Sequence, residues 1–251
     1  MLRVRYFGDL HLEFTEMKPG TLPSVGEDLV VLAGDIATGV AGIQWAKRAI
    51  KGRPVVYVLG NHEFYGQDFD DLIVEARAMC AGTHVHFLEN GLVDLAGYRI
   101  LGCTLWTDFQ LLGADVAGDA AAYASVTMAD YSAIRRTGRR LSVRDTVARC
   151  HESRAWLSKQ ITASTQPLLV ITHHAPSFCT MNPMFEGQIS NAAFHNGFDD
   201  LIRPPVRAWI HGHNHYSISQ RVNEIPVVTN QRGYPNEDVG EFRWDQMIDL
   251  V

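Results

Sequence analysis

The chain has 251 residues, of which 46% are hydrophobic and 20% charged, and its formal net charge at pH 7 is −6. This length suits one large domain, and the composition is typical of a globular protein. The negative balance argues against a protein that binds nucleic acid mainly through its overall electrostatic field.

Hydrophobic patterning predicts strands and helices that follow one another through the first hundred residues. Apolar runs bounded by turn residues predict strands at 2–7, 28–33, 55–59, 85–88, 92–95 and 98–103. Amphipathic spacing predicts helices at 40–50 and 68–80. Acidic residues in the first turn of the second helix favour that start, because they lie at the positive end of the helix dipole.

The segment from about 106 to 161 differs in character and is interpreted as a helical cap inserted into a single domain that spans 1–251. It contains an Ala/Gly/Asp-rich loop at 113–122, a basic turn at 135–140 and a long helix. Ser142 opens that helix, and Asp145 occupies the capping-box position. Strand signals return at 168–172, 206–210, 217–222 and 226–229.

Cysteine usage and hydropathy set expectations for the compartment. The four cysteines are far apart and form no C-x-x-C pair, so free thiols in a reducing compartment are expected. Arg3 and Arg5 interrupt any signal-peptide core, and no apolar run approaches the ~20 residues of a membrane span. We therefore expect a cytoplasmic protein without a membrane partner.

Five short motifs each follow a predicted strand, and together they contain most of the side chains that could bind metal. They are Asp9-Leu10-His11, Gly34-Asp35, Gly60-Asn61-His62-Glu63, His173-His174 and Gly212-His213-Asn214-His215. Ligands of open α/β sheets bind at the carboxyl ends of strands. Carboxylate, imidazole and amide groups from separate strand ends suit a two-metal hydrolytic site. Each motif is weak by itself, and the inference depends on the whole set in this order.

The residue types also indicate how the ligands can be divided between two ions. A carboxylate such as Asp35 can bridge two cations about 3.5–4 Å apart. Asn61 supplies a neutral oxygen, and His213 and His215 can each bind a different ion. These donors contain nitrogen and oxygen only, which suits manganese, iron or zinc.

The five motifs resemble those of the calcineurin-like metallophosphoesterase superfamily, whose pattern is D-x-H, G-D, G-N-H-[DE], H and G-H-x-H. The resemblance extends from Asp9 to His215. It implies an α/β fold built as a two-sheet β-sandwich flanked by helices. It also implies hydrolysis of a phosphoester by a hydroxide that two divalent metal ions activate.

The resemblance further assigns roles to individual residues. One metal ion would be held by Asp9, His11, Asp35 and His215. The other would be held by Asp35, Asn61, His173 and His213. His62 would bind no metal, and would instead lie beside the substrate phosphate and stabilise or protonate the leaving oxygen.

Some assignments stay open. Either imidazole of His173-His174 can be the ligand, and alignment of the strand end favours His173. Glu63 is expected to orient a ligand or loop. The arginines of 135–140 suit a solvated helix end, although one of them could clamp a distal phosphate.

The substrate is expected to be a small molecule, either a phosphodiester or a nucleotide. Protein Ser/Thr phosphatases and dinucleoside tetraphosphate hydrolases of the superfamily carry G-D-x-V-D-R-G, and the equivalent segment at 34–39 lacks the Asp-Arg pair. The alternatives are a phosphomonoesterase, a nuclease of the same fold or a non-catalytic interaction scaffold. The acidic balance disfavours the nuclease, the intact ligand set disfavours the scaffold, and the oligomeric state is left open.

Overall fold

Two β-sheets packed face to face lie at the centre of the protein. The structure is a computed structural model that describes residues 1–15 and 22–251. Its strands are β1 (Leu2–Phe7), β2 (Leu29–Ala33), β3 (Val55–Val58), β4 (Val85–Phe87), β5 (Gly91–Leu95), β6 (Tyr98–Cys103), β7 (Arg135–Arg136), β8 (Arg139–Arg140), β9 (Leu168–Thr172), β10 (Val206–His211), β11 (Ser219–Val222), β12 (Ile225–Thr229) and β13 (Met247–Leu250). Its α-helices are α1 (Ala41–Ala49), α2 (Phe69–Cys80), α3 (Ala117–Thr127), α4 (Asp130–Ala133) and α5 (Val143–Ala163).

Both large sheets are mixed, with a parallel centre and antiparallel edge strands. The first has the order β13-β1-β2-β3-β4, and only β13 runs antiparallel to its neighbour. The second has the order β11-β12-β10-β9-β6-β5, with β11 and β5 antiparallel at its edges. The two-sheet α/β architecture expected from the sequence is therefore confirmed.

The inner faces of the two sheets share one apolar core. Val31 and Val56 of the first sheet belong to the same buried cluster as Leu169, Ile171 and Ala208 of the second. Every residue of β2, β3 and β9 is buried. Strands covered on both faces need continuous apolar runs rather than alternation, which is the pattern that these segments carry.

Helices cover the outer faces of the sheets. Ile43 of α1 and Leu72 of α2 lie in a second buried cluster, which also contains Leu157 of α5 and residues of both sheets. The carboxylate of Asp68 accepts a hydrogen bond from the N–H of Asp70 and so caps α2. None of the described helices combines the length and apolar character that crossing a bilayer requires.

The segment 106–161 differs in part from the sequence prediction. The loop predicted at 113–122 is wrong for its second half, because residues 117–122 belong to α3, where alanine favours helix over loop. The basic turn at 135–140 is a hairpin of β7 and β8. The predicted capping box is confirmed, since the N–H of Ser142 donates to the carboxylate of Asp145 at 2.9 Å.

Candidate metal centre

The five sequence motifs converge at one edge of the two sheets. They lie just past the carboxyl ends of β1, β2, β3, β9 and β10. Hydrogen bonds join the loops of the two sheets directly: the N–H of His213 donates to the carboxylate of Asp9 at 3.0 Å, and Nδ1 of His173 contacts the carbonyl of Ala33 at 2.9 Å. The loops of both sheets therefore form a single site.

Five of the seven predicted metal-binding residues have left-handed backbone conformations. Their φ angles lie between 46° and 77°, and the residues are Asp9, His11, Asp35, His213 and His215. Such conformations cost about 1–3 kcal/mol each for residues other than glycine, and they cluster at functional sites. Left-handed backbone is therefore common among the predicted ligand residues.

Two glycines allow backbone to approach the carboxylates closely. A Cβ atom on Gly60 would lie 2.1 Å from Oδ1 of Asp35, and one on Gly212 would lie 2.6 Å from Oδ2 of Asp9. Any side chain at either position would displace a carboxylate. The glycines of the motifs are therefore part of the site.

The first donor cluster consists of Asp9, His11 and His215, whose ligand atoms lie within 4.8 Å of one another. Nε2 of His215 is 3.4 Å from Oδ1 of Asp9 and 3.0 Å from Nε2 of His11. The Nδ1 atoms of the two imidazoles contact the carboxylates of Glu13 and Glu237. With each Nδ1 against a carboxylate, the two Nε2 atoms face each other, which is an arrangement that fits a cation between them.

The second donor cluster consists of Asp35, His173 and His213. Nδ1 of His173 donates to the carbonyl of Ala33 at 2.9 Å, which directs Nε2 toward Oδ1 of Asn61 at 3.0 Å. Nε2 of His213 is buried and has no hydrogen-bond partner among the described residues. Imidazole nitrogens, a carboxylate and an amide oxygen that converge in this way are the donor groups that a cation site requires.

Asp35 joins the two clusters. Its Oδ1 is 3.4 Å from Nε2 of His173, and its Oδ2 is 3.9 Å from Nε2 of His11. Oδ1 also accepts the N–H of His62 at 2.8 Å, which fixes the carboxylate between the clusters.

The electrostatic field at both clusters favours positive charge. Burial by itself lowers the pKa of His173 and of His215. The charge of Asp35 outweighs that effect and raises the pKa of His173 to about 9. Hydrogen bonds and charge from Asp9 and Glu237 raise the pKa of His215 to about 10. Burial and neighbouring imidazoles hold the pKa of His213 well below its usual range, so this ring is neutral near pH 7.

Glu63 holds the loops that carry Asp35 and Asn61. Its carboxylate accepts the N–H groups of Asp35, Ile36 and Gly60 at 2.8–2.9 Å and the hydroxyl of Tyr57 at 2.7 Å. The expected orienting role is therefore confirmed, since this one side chain connects the loops after β2 and β3.

His62 faces the cleft beside the donor clusters. Its Nδ1 is 3.0 Å from the carboxylate of Glu13, and its Nε2 is 2.9 Å from the hydroxyl of Tyr234. The ring also stacks on Tyr65 with centroids 4.3 Å apart. Contacts on both nitrogens and one face hold the imidazole in a single orientation.

The cleft itself has a volume of about 340 Å³. Asp35, Asn61, His62, His213 and His215 line it together with Glu237, aromatic side chains and residues of the segment 127–129. None of the described residues that line it is lysine or arginine.

These observations decide the family. The sequence profile described as calcineurin-like phosphoesterase matches residues 2–217. The chain belongs to the calcineurin-like phosphoesterase family. It is accordingly a metal-dependent enzyme that hydrolyses phosphoester bonds.

Individual proteins resemble this chain in sequence or in fold. The chain is 28% identical over 264 aligned residues to an uncharacterised protein of Acanthamoeba polyphaga mimivirus, and the alignment covers 93% of this chain and 92% of that protein. Phosphopantetheinyl hydrolase from Mycobacterium tuberculosis superposes with a TM-score of 0.75 at 20% identity, covering 98% of this chain and 95% of that one. A putative 5'-nucleotidase from Staphylococcus aureus gives a TM-score of 0.50 at 11% identity, covering 92% of this phosphoesterase and 48% of that chain. Both structural likenesses concern the fold.

Other polar residues of the phosphoesterase contribute no atom to the donor clusters. Nδ1 of His174 contacts the carbonyl of Thr104 at 3.2 Å, so that side of the ring is occupied by backbone. Arg136 and Arg139 form ion pairs with Asp145, and neither arginine lines the cleft.

Sequence reasoning missed four polar residues of this site: Glu13, Asp130, Tyr234 and Glu237. The carboxylate of Asp130 accepts from the amide of Asn61 at 2.9 Å and from the hydroxyl of Tyr65 at 2.7 Å. Glu13 lies two residues after His11, so its spacing carried a usable signal. The other three reach the site from distant parts of the chain, and local patterns do not reveal them.

Proposed function

We propose that this phosphoesterase hydrolyses a small phosphodiester with two divalent metal ions. The observation that carries the proposal is the pair of donor clusters joined by Asp35. One ion would be held by Asp9, His11, Asp35 and His215, and the other by Asp35, Asn61, His173 and His213. When bound, such ions supply Lewis acidity toward the phosphate and lower the pKa of the attacking water.

The proposal assigns the ligand role to His173 rather than His174. Nε2 of His173 points toward Asp35 and Asn61, whereas Nδ1 of His174 lies against backbone. The donor set contains nitrogen and oxygen atoms only, which suits Mn²⁺, Fe²⁺ or Zn²⁺.

His62 would act on the leaving oxygen. It lies in the cleft beside Asp35, with its Nε2 4.0 Å from Oδ2 of that carboxylate. The bond to Glu13 fixes the imidazole so that Nε2 faces the cleft. An imidazole in this position can donate a proton to the departing alkoxide.

A diester fits the cleft better than a monoester dianion or a nucleic acid. The described lining contains no lysine or arginine to bind a second phosphate charge or a polyanionic strand. A diester carries one negative charge, which the two metal ions can balance without further cations.

We also propose that residues 1–251 act as one domain in which the segment 106–161 is a cap over the site. Thr127, Met128 and Ala129 of this segment line the cleft. Asp130 holds Asn61 through the amide hydrogen bond described above. Both contacts support the proposal that this segment acts as a cap.

Hydrolysis of bis(p-nitrophenyl) phosphate and of p-nitrophenyl phosphate with added Mn²⁺ tests the proposal. We expect turnover of the diester to exceed that of the monoester, and Asp35→Asn to reduce both to background. Asp119→Asn, an exposed aspartate of α3, is the matched control and should retain full activity. A preference for the monoester, or cleavage of single-stranded DNA, would contradict the proposed substrate class. The fold likeness to a phosphopantetheinyl hydrolase makes phosphopantetheinyl compounds suitable natural substrates to include.

A further inference from the structure

A second cavity, which we call the annex, opens beside the metal cleft. Its volume is about 240 Å³. Five residues line both cavities: Thr127, Met128, Phe185, Phe194 and Asn214. The ring of Phe194 stacks on that of His213 with centroids 4.6 Å apart. The annex therefore begins directly beside a predicted metal ligand.

The annex and the cleft differ in charge. Carboxylates and imidazoles line the cleft, whereas the described lining of the annex contains aromatic, amide, hydroxyl and thioether side chains and one imidazole. That imidazole belongs to His195, and burial lowers its pKa to about 4, so it is neutral near pH 7. A charged group placed in the annex would lose hydration and find no opposite charge there.

Two apolar side chains that line the annex are exposed to solvent. Tyr123 and Phe185 are each more than 40% exposed. Single exposed apolar residues are ordinary, but these two belong to the wall of one mostly apolar cavity. Covering them with an organic group would remove apolar surface from water.

We propose that the annex binds one ester group of the substrate, and that this group is an uncharged, extended chain carrying amide or hydroxyl functions. This inference rests on the proposed function, because it takes the metal cleft as the site of the phosphate. The chain would leave the phosphate past Phe194 and Met128, with its apolar part against the aromatic rings. The amide side chains of Asn182 and Gln188 offer partners for its polar part.

Three phosphodiesters that share a p-nitrophenyl leaving group test the proposal. Their other ester groups are methyl, acetamidobutyl and carboxybutyl. In each case water adds at phosphorus and gives up its protons to solvent, the bond between phosphorus and the p-nitrophenyl oxygen breaks, and p-nitrophenolate and the alkyl phosphate are released. We expect kcat/KM for the acetamidobutyl ester to exceed that for the methyl ester roughly tenfold or more. The carboxybutyl ester should gain nothing, because its charge would be desolvated.

Ser190→Trp locates the effect in the annex. Ser190 is a half-buried residue of its lining, and an indole there would fill the cavity. The acetamidobutyl-to-methyl ratio of kcat/KM should fall close to one in this variant. Ser125→Trp is the matched control, since Ser125 is exposed on α3 and lines neither cavity. The wild-type ratio should persist in it.

The outcomes separate this inference from the proposed function. Equal kcat/KM for the three esters in the wild type, or a ratio that survives Ser190→Trp, would overturn the annex proposal while leaving diester hydrolysis intact. If the wild type cleaves none of the three, the proposed function fails. Binding in the annex is then tested by saturation-transfer NMR with acetamidobutyl phosphate. Saturation transfer to the acetamidobutyl protons in the wild type but not in Ser190→Trp would support the annex proposal. Absence of transfer in the wild type would overturn it.

Discussion

The hydroxyl of Tyr234 lies 2.9 Å from Nε2 of His62, the nitrogen that would face the substrate. Tyr234→Phe removes that contact and keeps the ring against His11. A hydrogen bond of this kind contributes about 1–2 kcal/mol, so we expect kcat/KM for the diester to fall about tenfold. In a His62→Gln background the same change should have almost no further effect, because the two residues act together. Additive losses in the double variant would show that Tyr234 acts independently of His62.

The proposed acid role of His62 makes a prediction about leaving groups. Methyl phenyl phosphate releases a more basic oxygen than methyl p-nitrophenyl phosphate and needs more help from an acid. We expect His62→Gln to lower kcat by about 10²–10⁴-fold for the phenyl ester. The loss should be much smaller for the p-nitrophenyl ester. Equal losses for both esters would assign His62 to binding rather than to proton transfer.

The site residues that could be predicted from the sequence are those that belong to a short local pattern. Asp9, Asp35 and His173 each follow an apolar strand, and strand ends of two sheets meet at one edge. Tyr234 and Asp130 could not be found in this way, because they reach His62 and Asn61 across 172 and 69 residues of sequence. Such contacts depend on how the loops pack after the sheets have formed.

The start of α5 depends on Asp145, whose carboxylate binds the N–H of Ser142 and the guanidinium of Arg139. The bond to Arg139 is the largest influence that lowers the pKa of Asp145 below its usual range. Because the folded-state pKa is depressed, this stabilisation is complete above the unfolded value of about 4 and is lost as the pH falls further.

We therefore expect Asp145→Asn to lower the free energy of unfolding by about 1 kcal/mol near pH 7. The difference from the wild type should shrink as the pH falls below about 4. Urea unfolding at several pH values measures both effects, with Asp238→Asn, an exposed aspartate outside the helices, as the control. A difference in the free energy of unfolding that stays constant down to pH 2 would show that it does not depend on the ionisation of Asp145.

Element boundaries were predictable where the apolar pattern was strong. β1 begins and ends where the sequence predicted, and β2 differs from its prediction by one residue. No strand was predicted at β13, a four-residue edge strand whose pairing with β1 joins residues almost 250 positions apart. The start of α3 was predicted to be a loop, because the Gly and Asp residues near 113–119 resemble turn signals. Tertiary packing decides both cases.

The proposed metal ligands come from loops of both sheets, so metal binding should stabilise the protein as a whole. It would also offset the left-handed strain at five ligand residues. A metal present at a hundred times its Kd adds about 2.7 kcal/mol, which corresponds to roughly 5–10 °C in Tm for a domain of this size. We expect EDTA to lower Tm by this amount and Mn²⁺ to restore it. The changes in Tm should be smaller in Asp35→Asn. A Tm that changes with neither EDTA nor Mn²⁺ would contradict a metal site formed by loops of both sheets.

The two-ion site itself is tested by counting metal. Purified protein saturated with Mn²⁺ and freed of excess ion is measured by elemental analysis against protein concentration, with Asp9→Asn and His173→Ala in parallel. We expect two ions per chain in the wild type and a loss of about one ion in each variant, since each removes a ligand to a different ion. One ion or none in the wild type would contradict the two-metal account.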